Sequence, residues 1–372
     1  MAHDLENPRT KKYSKFKSLV SYFELLIKKS MLFCVVILNF FFHSKNNQYI
    51  DIENYKNKDN RFINYLFKSL SSKYNFSYDL SFSVLDFVKK IGIKNFLKYA
   101  TPNFFLKNKI KSKFFLNKNN SNKDELNFNT NYFSTVNKDK LFLPYYVYPK
   151  VYNHEYNSLE KLKNNKKLIK IFFSGSTNED VYGKFTWYNE QNNKLLNRIQ
   201  IIDYVVKNFK DKIFFLNNYN DLIDYNPSKT PIVLSVNAKL IKKTKTNLTN
   251  KQHFDLISKS DFLLTAPGAD MPLCHHFIEA IKMKSIPISN YGHLHKPQIP
   301  QNDYLNFSDF SSLNETIISA LNMPVDQVLK IQNDLESFYN NELSPESFLR
   351  KFENRNNNEI IACNDVESLR WL

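Results

Sequence analysis

The chain has 372 residues and a mass of 44.1 kDa, room for two domains of ordinary size. Lysine and arginine number 52 against 36 acidic residues, a formal charge of +16. Aromatics at 15% exclude a disordered chain, five glycines exclude collagen-like and Gly-rich repeats, and three scattered cysteines exclude a disulfide scaffold or thiolate zinc cluster.

In chain order, the first seventeen residues are polar and basic. Residues 18–43 then carry an apolar stretch whose charge-free part, Met31 to Phe42, is shorter than the roughly 20 residues of a spanning helix. No small-residue cleavage site follows it. Three readings stand: a buried or surface-docked helix, attachment to a membrane surface, or a single-pass anchor over residues 18–43. The expected location is the cytoplasm, with membrane association through this segment, or the anchored alternative.

From Gln48 onward strand and helix patterns alternate. QYIDIENY reads as a strand. Phe62, Leu66, Phe67 and Leu70 fall at helical spacing. NFSYDLSF is a second strand, and residues 83–100 an amphipathic helix ended by Thr101-Pro102. Residues 103–140 are rich in Asn and Lys and read as loop or surface insertion. LFLPYYVYPKVY is extended, and a linker is expected at about 150–166.

The second half is clearer. Strands are expected at LIKIFFSGST, KIFFLN, TPIVLSV, DFLLTAPG, SIPISN and YLNFSD. Helices are expected at LLNRIQIIDYVVKNF, at TNKQHFDLISKS with Thr249 as cap, and at LCHHFIEAIKMK. Three C-terminal helices follow, the first starting at Ser311 with Asn314-Glu315 behind it. This is the grammar of parallel sheets covered by helices. The expected divisions are a basic N-terminal segment (1–45), an α/β domain (46–155) and a second α/β domain with C-terminal helices (156–372).

The informative stretch is residues 253–289, read as helix, strand, loop, helix, strand. The loop APGADMP lies between a strand's C-terminal end and a helix N-terminus, where open α/β sheets bind ligands and phosphate finds free N–H groups. His275 and Glu279 are four apart and share a helix face. No Walker loop, G-x-G-x-x-G, G-x-S-x-G or H-E-x-x-H occurs. No zinc ligand set accompanies His275-His276.

The ordered set Ser260-Asp261-Phe262-Leu263-Leu264, Pro267-Gly268-Ala269-Asp270, His275-His276, Glu279-Ala280-Ile281 and Ile286-Pro287-Ile288 resembles the nucleotide-sugar domain of exostosin-like glycosyltransferases and of GT-B enzymes generally. Phe172-Phe173-Ser174-Gly175-Ser176 and Arg198 are similar to the family's upstream elements. The resemblance spans roughly 165–350. It implies a GT-B-like fold of two Rossmann-like domains facing across a cleft. It implies sugar transfer from a nucleotide-diphosphate sugar, without a metal or other cofactor, to a glycan, polysaccharide or glycolipid. The donor would bind mainly on the C-terminal domain.

In that picture Glu279 accepts from ribose hydroxyls. Gly175, Ser176 and the Pro267-Gly268 loop approach the diphosphate, and Arg198 neutralises its charge. Asp270 either caps the next helix or acts as base. His275 and His276 are phosphate contacts or a hydrogen-bonded pair. The family usually carries Arg where this chain has Ala269 and near His275-His276; Lys184 and Lys282 are the candidates to replace it. Base candidates are Asp51, Glu53, Asp59 and Asp79. The rival reading is a catalytically inactive GT-B-like binding or scaffold protein. Nucleic acid is not an expected partner, because lysine outnumbers arginine 46 to 6 and is spread along the chain.

Overall fold

In the computed structural model the described residues are 49–51, 62–78, 100–102, 110–116, 125–129, 141–149, 151–154, 156–183, 186–188, 193–237, 248–269, 271–356 and 359–362. The apolar segment at 18–43, most of the helix expected at 83–100, Lys184 and Asp270 lie outside them. Among the described residues no helix is long and apolar enough to cross a membrane.

The protein is α/β and built on parallel sheets. It divides into two compact units, one of Met1–Lys56 with Lys73–Phe114, the other of Asn57–Ser72 with Phe115–Leu372. The first unit carries β1 (Tyr49–Asp51), β2 (Asn75–Tyr78), β3 (Ala100–Pro102) and β4 (Ile110–Leu116). Their order is β3-β2-β1-β4, all parallel. Thr101 and Pro102, expected to end a helix, belong to the strand β3. β4 corrects the loop reading of 103–140: Ile110, Phe114 and Leu116 fall at alternate positions, but Lys111, Ser112 and Lys113 between them obscure the period.

In the second unit, α1 (Ile63–Leu70) buries Leu66, Phe67 and Leu70, as their spacing predicts. Two further strands are β5 (Glu125–Asn129), also within the supposed insertion, and β6 (Leu141–Leu143). Next come β7 (Ile169–Ser176), β8 (Ile213–Phe215), β9 (Ile232–Asn237), β10 (Ser260–Leu264), β11 (Ile286–Ser289) and β12 (Leu305–Asn306). They form a parallel sheet in the order β12-β11-β10-β7-β9-β8. Ile171, Phe172 and Phe173 on β7 and Phe262, Leu263 and Leu264 on β10 are buried in unbroken runs. That is what a strand covered on both faces requires. Each such side chain contributes about 1.5–3 kcal/mol of burial free energy.

The helices are α2 (Arg198–Asn208), α3 (Asn250–Ser258), α4 (His275–Lys282), α5 (Phe310–Asn322), α6 (Val325–Phe338) and α7 (Pro345–Glu353). Thr249 caps α3, accepting from the Gln252 N–H as the sequence suggests. α5 starts earlier than expected, because Asp309 and not Ser311 is its cap. Ser344 caps α7, with Pro345 in the first-turn position that needs no N–H. The Tyr65 hydroxyl of α1 lies 2.8 and 3.0 Å from the carbonyls of Leu343 and Ser344, tying the two helices together. A last strand, β13 (Glu359–Ala362), which no sequence pattern announced, pairs in parallel with both β5 and β6.

β7 is the reversal point of the sheet. The chain leaves it toward β8 and β9 on one side, then crosses to β10, β11 and β12 on the other. Ligands bind at the C-terminal ends of strands at such a point.

The core also holds His295, stacked on Phe277 with ring centroids 4.6 Å apart. Among the described residues neither ring nitrogen has a hydrogen-bond partner. Burial, with a smaller push from His293, lowers its pKa to about 3. The folded chain thus keeps it neutral while the unfolded chain takes up a proton below about pH 6.5, so stability falls as pH drops from there toward 3. His295→Leu is expected to remove about 1.4 kcal/mol of that loss per pH unit, read from urea unfolding between about pH 6 and 4. An unchanged slope would show that this imidazole is not held neutral.

Candidate functional site

A cavity of about 250 Å³ opens at the C-terminal end of β7. Its floor is Ser174, Gly175 and Ser176, which pair in register with Ser235, Val236 and Asn237 of β9. Asn250 and His253 of α3 form one wall, His275, His276 and Glu279 of α4 another, and Tyr148 closes it. The N-terminal ends of α3 and α4 therefore meet at one opening. The N-cap of α4, Cys274, supplies no side-chain acceptor to the first-turn amides.

Gly175 is at the centre. A Cβ there would stand 3.3 Å from the Phe173 ring and 3.5 Å from both the Arg198 guanidinium and the His276 ring. Arg198, the first residue of α2, is buried behind this floor. It reaches the Ser176 carbonyl at 3.4 Å, the Ala266 carbonyl at 3.4 Å and the Cys274 sulfur at 3.5 Å. Its guanidinium sits 3.9 Å from the centre of the Tyr182 ring. Among the described residues no carboxylate pairs with it, and its Nε has no partner. A buried cation with only carbonyls and a π face around it biases its surroundings toward anions.

Glu279 is 1% exposed. Oε1 accepts from the Tyr148 N–H at 3.0 Å, and Oε2 lies 3.1 Å from His253 Nε2. His275 Nε2 is 3.9 Å from Oε1. Burial works against ionisation, but His275, the His253 hydrogen bond and His276 outweigh it and hold the carboxyl well below its ordinary range. Burial is also the main force on His276, lowering it to about 3, with His253 and Arg198 adding to it. His275 is lowered for the same first reason. At neutral pH both imidazoles are uncharged and offer the cavity N–H and lone-pair groups.

The predicted residues separate into two groups. Gly175, Ser176, His275, His276 and Glu279 line the cavity, with Arg198 directly behind. Pro267 and Gly268 are not among the cavity-lining residues. The Gly268 N–H donates to the Pro272 carbonyl at 3.3 Å, and its carbonyl accepts from Trp187 Nε1 at 3.3 Å. The Gly268 amide is therefore engaged by the Pro272 carbonyl of its own loop. Lys282 is also committed elsewhere, paired with Glu160 and set over the Tyr156 and Tyr339 rings. Asp51 ends β1, while Glu53, Asp59 and Asp79 lie outside the described residues.

Sequence reading missed His253, Tyr148, Ser235 and Asn250. His253 is the consequential one. It lies 26 positions before Glu279, and only the packing of α3 beside α4 joins them. With it, His253, His276 and Glu279 bring three ligand atoms within 4.8 Å of one another.

No protein-family model matches the chain, and no curated protein sequence matches it. Solved structures similar to it include the N-terminal domain of Candida albicans trehalose-6-phosphate phosphatase, at 8% identity over 84% of this chain and 98% of that one, with a TM-score of 0.42. An α1,3-fucosyltransferase aligns at 12% identity over 82% and 88%, with a TM-score of 0.35. WaaG, a glycosyltransferase involved in lipopolysaccharide biosynthesis, aligns at 10% identity over 82% and 98%, with a TM-score of 0.34.

The closed loop makes its own prediction. A Cβ on Gly268 would meet the Met271 carbonyl at 2.7 Å and the Leu273 carbonyl at 3.0 Å, and backbone cannot swing aside as a side chain can. Gly268→Ala is expected to cost about 1–3 kcal/mol in urea unfolding. Wild-type stability in that variant would contradict the loop geometry.

Proposed function

We propose that the protein transfers a sugar from a nucleotide-diphosphate sugar to a glycan, polysaccharide or glycolipid acceptor, with the donor held in the β7 cavity. One observation carries this reading. Two helix N-termini and a Ser-Gly-Ser strand end converge at the reversal point of a parallel sheet, with a buried guanidinium behind them that no carboxylate among the described residues neutralises.

Sugar transfer breaks the bond between the anomeric carbon and the diphosphate, and the nucleoside diphosphate departs with added negative charge. Preorganised N–H groups at the starts of α3 and α4 and the field of Arg198 stabilise that charge as it develops. The missing Cβ of Gly175 gives the phosphates room. Among the described residues each Glu279 oxygen has one hydrogen-bond partner and keeps a lone pair, which suits the ribose hydroxyls. A cavity of about 250 Å³ is below the roughly 300–1,000 Å³ of a full small-molecule site, so it takes the diphosphate and ribose and leaves the rest of the donor outside.

Calorimetry with a panel of nucleotide sugars, paired with donor-hydrolysis assays, tests this. At least one nucleoside diphosphate sugar should bind and turn over. Gly175→Val, which fills the floor of the cavity, should weaken that binding by about tenfold or more while circular dichroism stays native. Binding without turnover would favour the inactive scaffold reading. Absence of binding across the panel would refute both.

A further inference from the structure

We propose that His253, His276 and Glu279 form a binding site for one divalent first-row transition-metal ion of the zinc class. The inference uses the same cavity as the nucleotide reading but does not depend on it.

The donor set is two imidazoles and one carboxylate, a combination suited to such ions and found where a metal keeps open coordination positions. The ligand atoms lie within 4.8 Å of one another. A tetrahedral ion with bonds of about 2.0–2.1 Å needs donors roughly 3.3 Å apart. His253 Nε2 and Glu279 Oε2, at 3.1 Å, already stand at that separation. The other separations are within 4.8 Å, so His276 must close in by at most about 1.5 Å, through side-chain rotation.

Three further features distinguish this cluster from a chance grouping. Glu279 is 1% exposed, so its carboxylate is not a solvated surface acid. Its second oxygen is held by the Tyr148 N–H, the kind of supporting hydrogen bond that orients a ligating carboxylate. The His276 side chain makes no hydrogen bond among the described residues, although it lines the cavity. Metal ligation would give that imidazole a partner. It would also replace the His253–Glu279 hydrogen bond with two metal bonds.

The three ligands come from two helices. His276 and Glu279 are three apart on α4 and share a face, and α3 brings His253 alongside. All three line the cavity, so the open positions of an ion face its interior. Phosphate or water oxygens are the chemistry those positions would accept.

The test uses the full chain, stripped with chelator and then titrated with zinc by calorimetry and with cobalt by absorption. One equivalent should bind with a dissociation constant of about 1 µM or tighter. Cobalt should show visible ligand-field bands without a thiolate charge-transfer band, because Cys274 is not a ligand. His253→Gln and His276→Gln should each weaken zinc by about a hundredfold or more, while His293→Gln, away from the cavity lining, changes it by less than about threefold. Failure of the wild type to bind stoichiometrically, retention of full affinity in both ligand variants, or a thiolate band would overturn the proposal. Nucleotide binding by the metal-free chain is scored separately, so loss of the metal site leaves the donor reading standing, and the reverse.

Discussion

A carboxylate that is removed from water must be satisfied from within, and the partners of Glu279 decide how the site is assembled. The Tyr148 N–H, His253 on α3 and the histidines at the start of α4 all turn toward it. Leaving a buried charge without its partners costs about 3–5 kcal/mol, so these three stretches of chain are bound to one another by electrostatics as much as by packing. The cavity exists because they close around this group without filling the space above Gly175.

Arg198 plays the opposite part on the other side of the floor. It bridges the end of β7 and the Ala266 carbonyl after β10 and touches Cys274 at the start of α4, so a single side chain ties two elements that border the cavity to the strand beside them. The charge it brings is not matched by an acid among the described residues. Positive field behind the floor and an ionised carboxylate on the wall give the cavity two electrostatic ends. A ligand with an anionic group and neighbouring hydroxyls fits that polarity, and a diphosphate joined to ribose is such a ligand.

Much of this was legible in the residues. Periodicity located α1, the strands β7 to β12 and the helices between them, because buried parallel strands are unbroken apolar runs and the helices carry capping residues such as Thr249. The resemblance to exostosin-like and GT-B glycosyltransferases picked out Gly175, Ser176, His275, His276 and Glu279. What failed were features set by contacts distant in sequence. β13 is four residues long and becomes a strand only because β5 and β6 leave a gap between them. β4 and β5 were hidden by lysine and asparagine on their alternate positions. The closed Gly268 loop depends on Pro272 and Trp187, and His253 depends on how α3 packs beside α4. Local pattern does not encode those pairings.

The central claim is that the ligand's phosphates lie between the β7 strand end and the starts of α3 and α4. Amide hydrogen exchange with and without a saturating nucleoside diphosphate tests it directly, since bound phosphate slows exchange of the amides that hold it. Protection should concentrate in peptides covering 174–177, 248–254 and 273–279. Protection confined to other segments, with these three unchanged in the presence of a ligand known to be bound, would contradict the account.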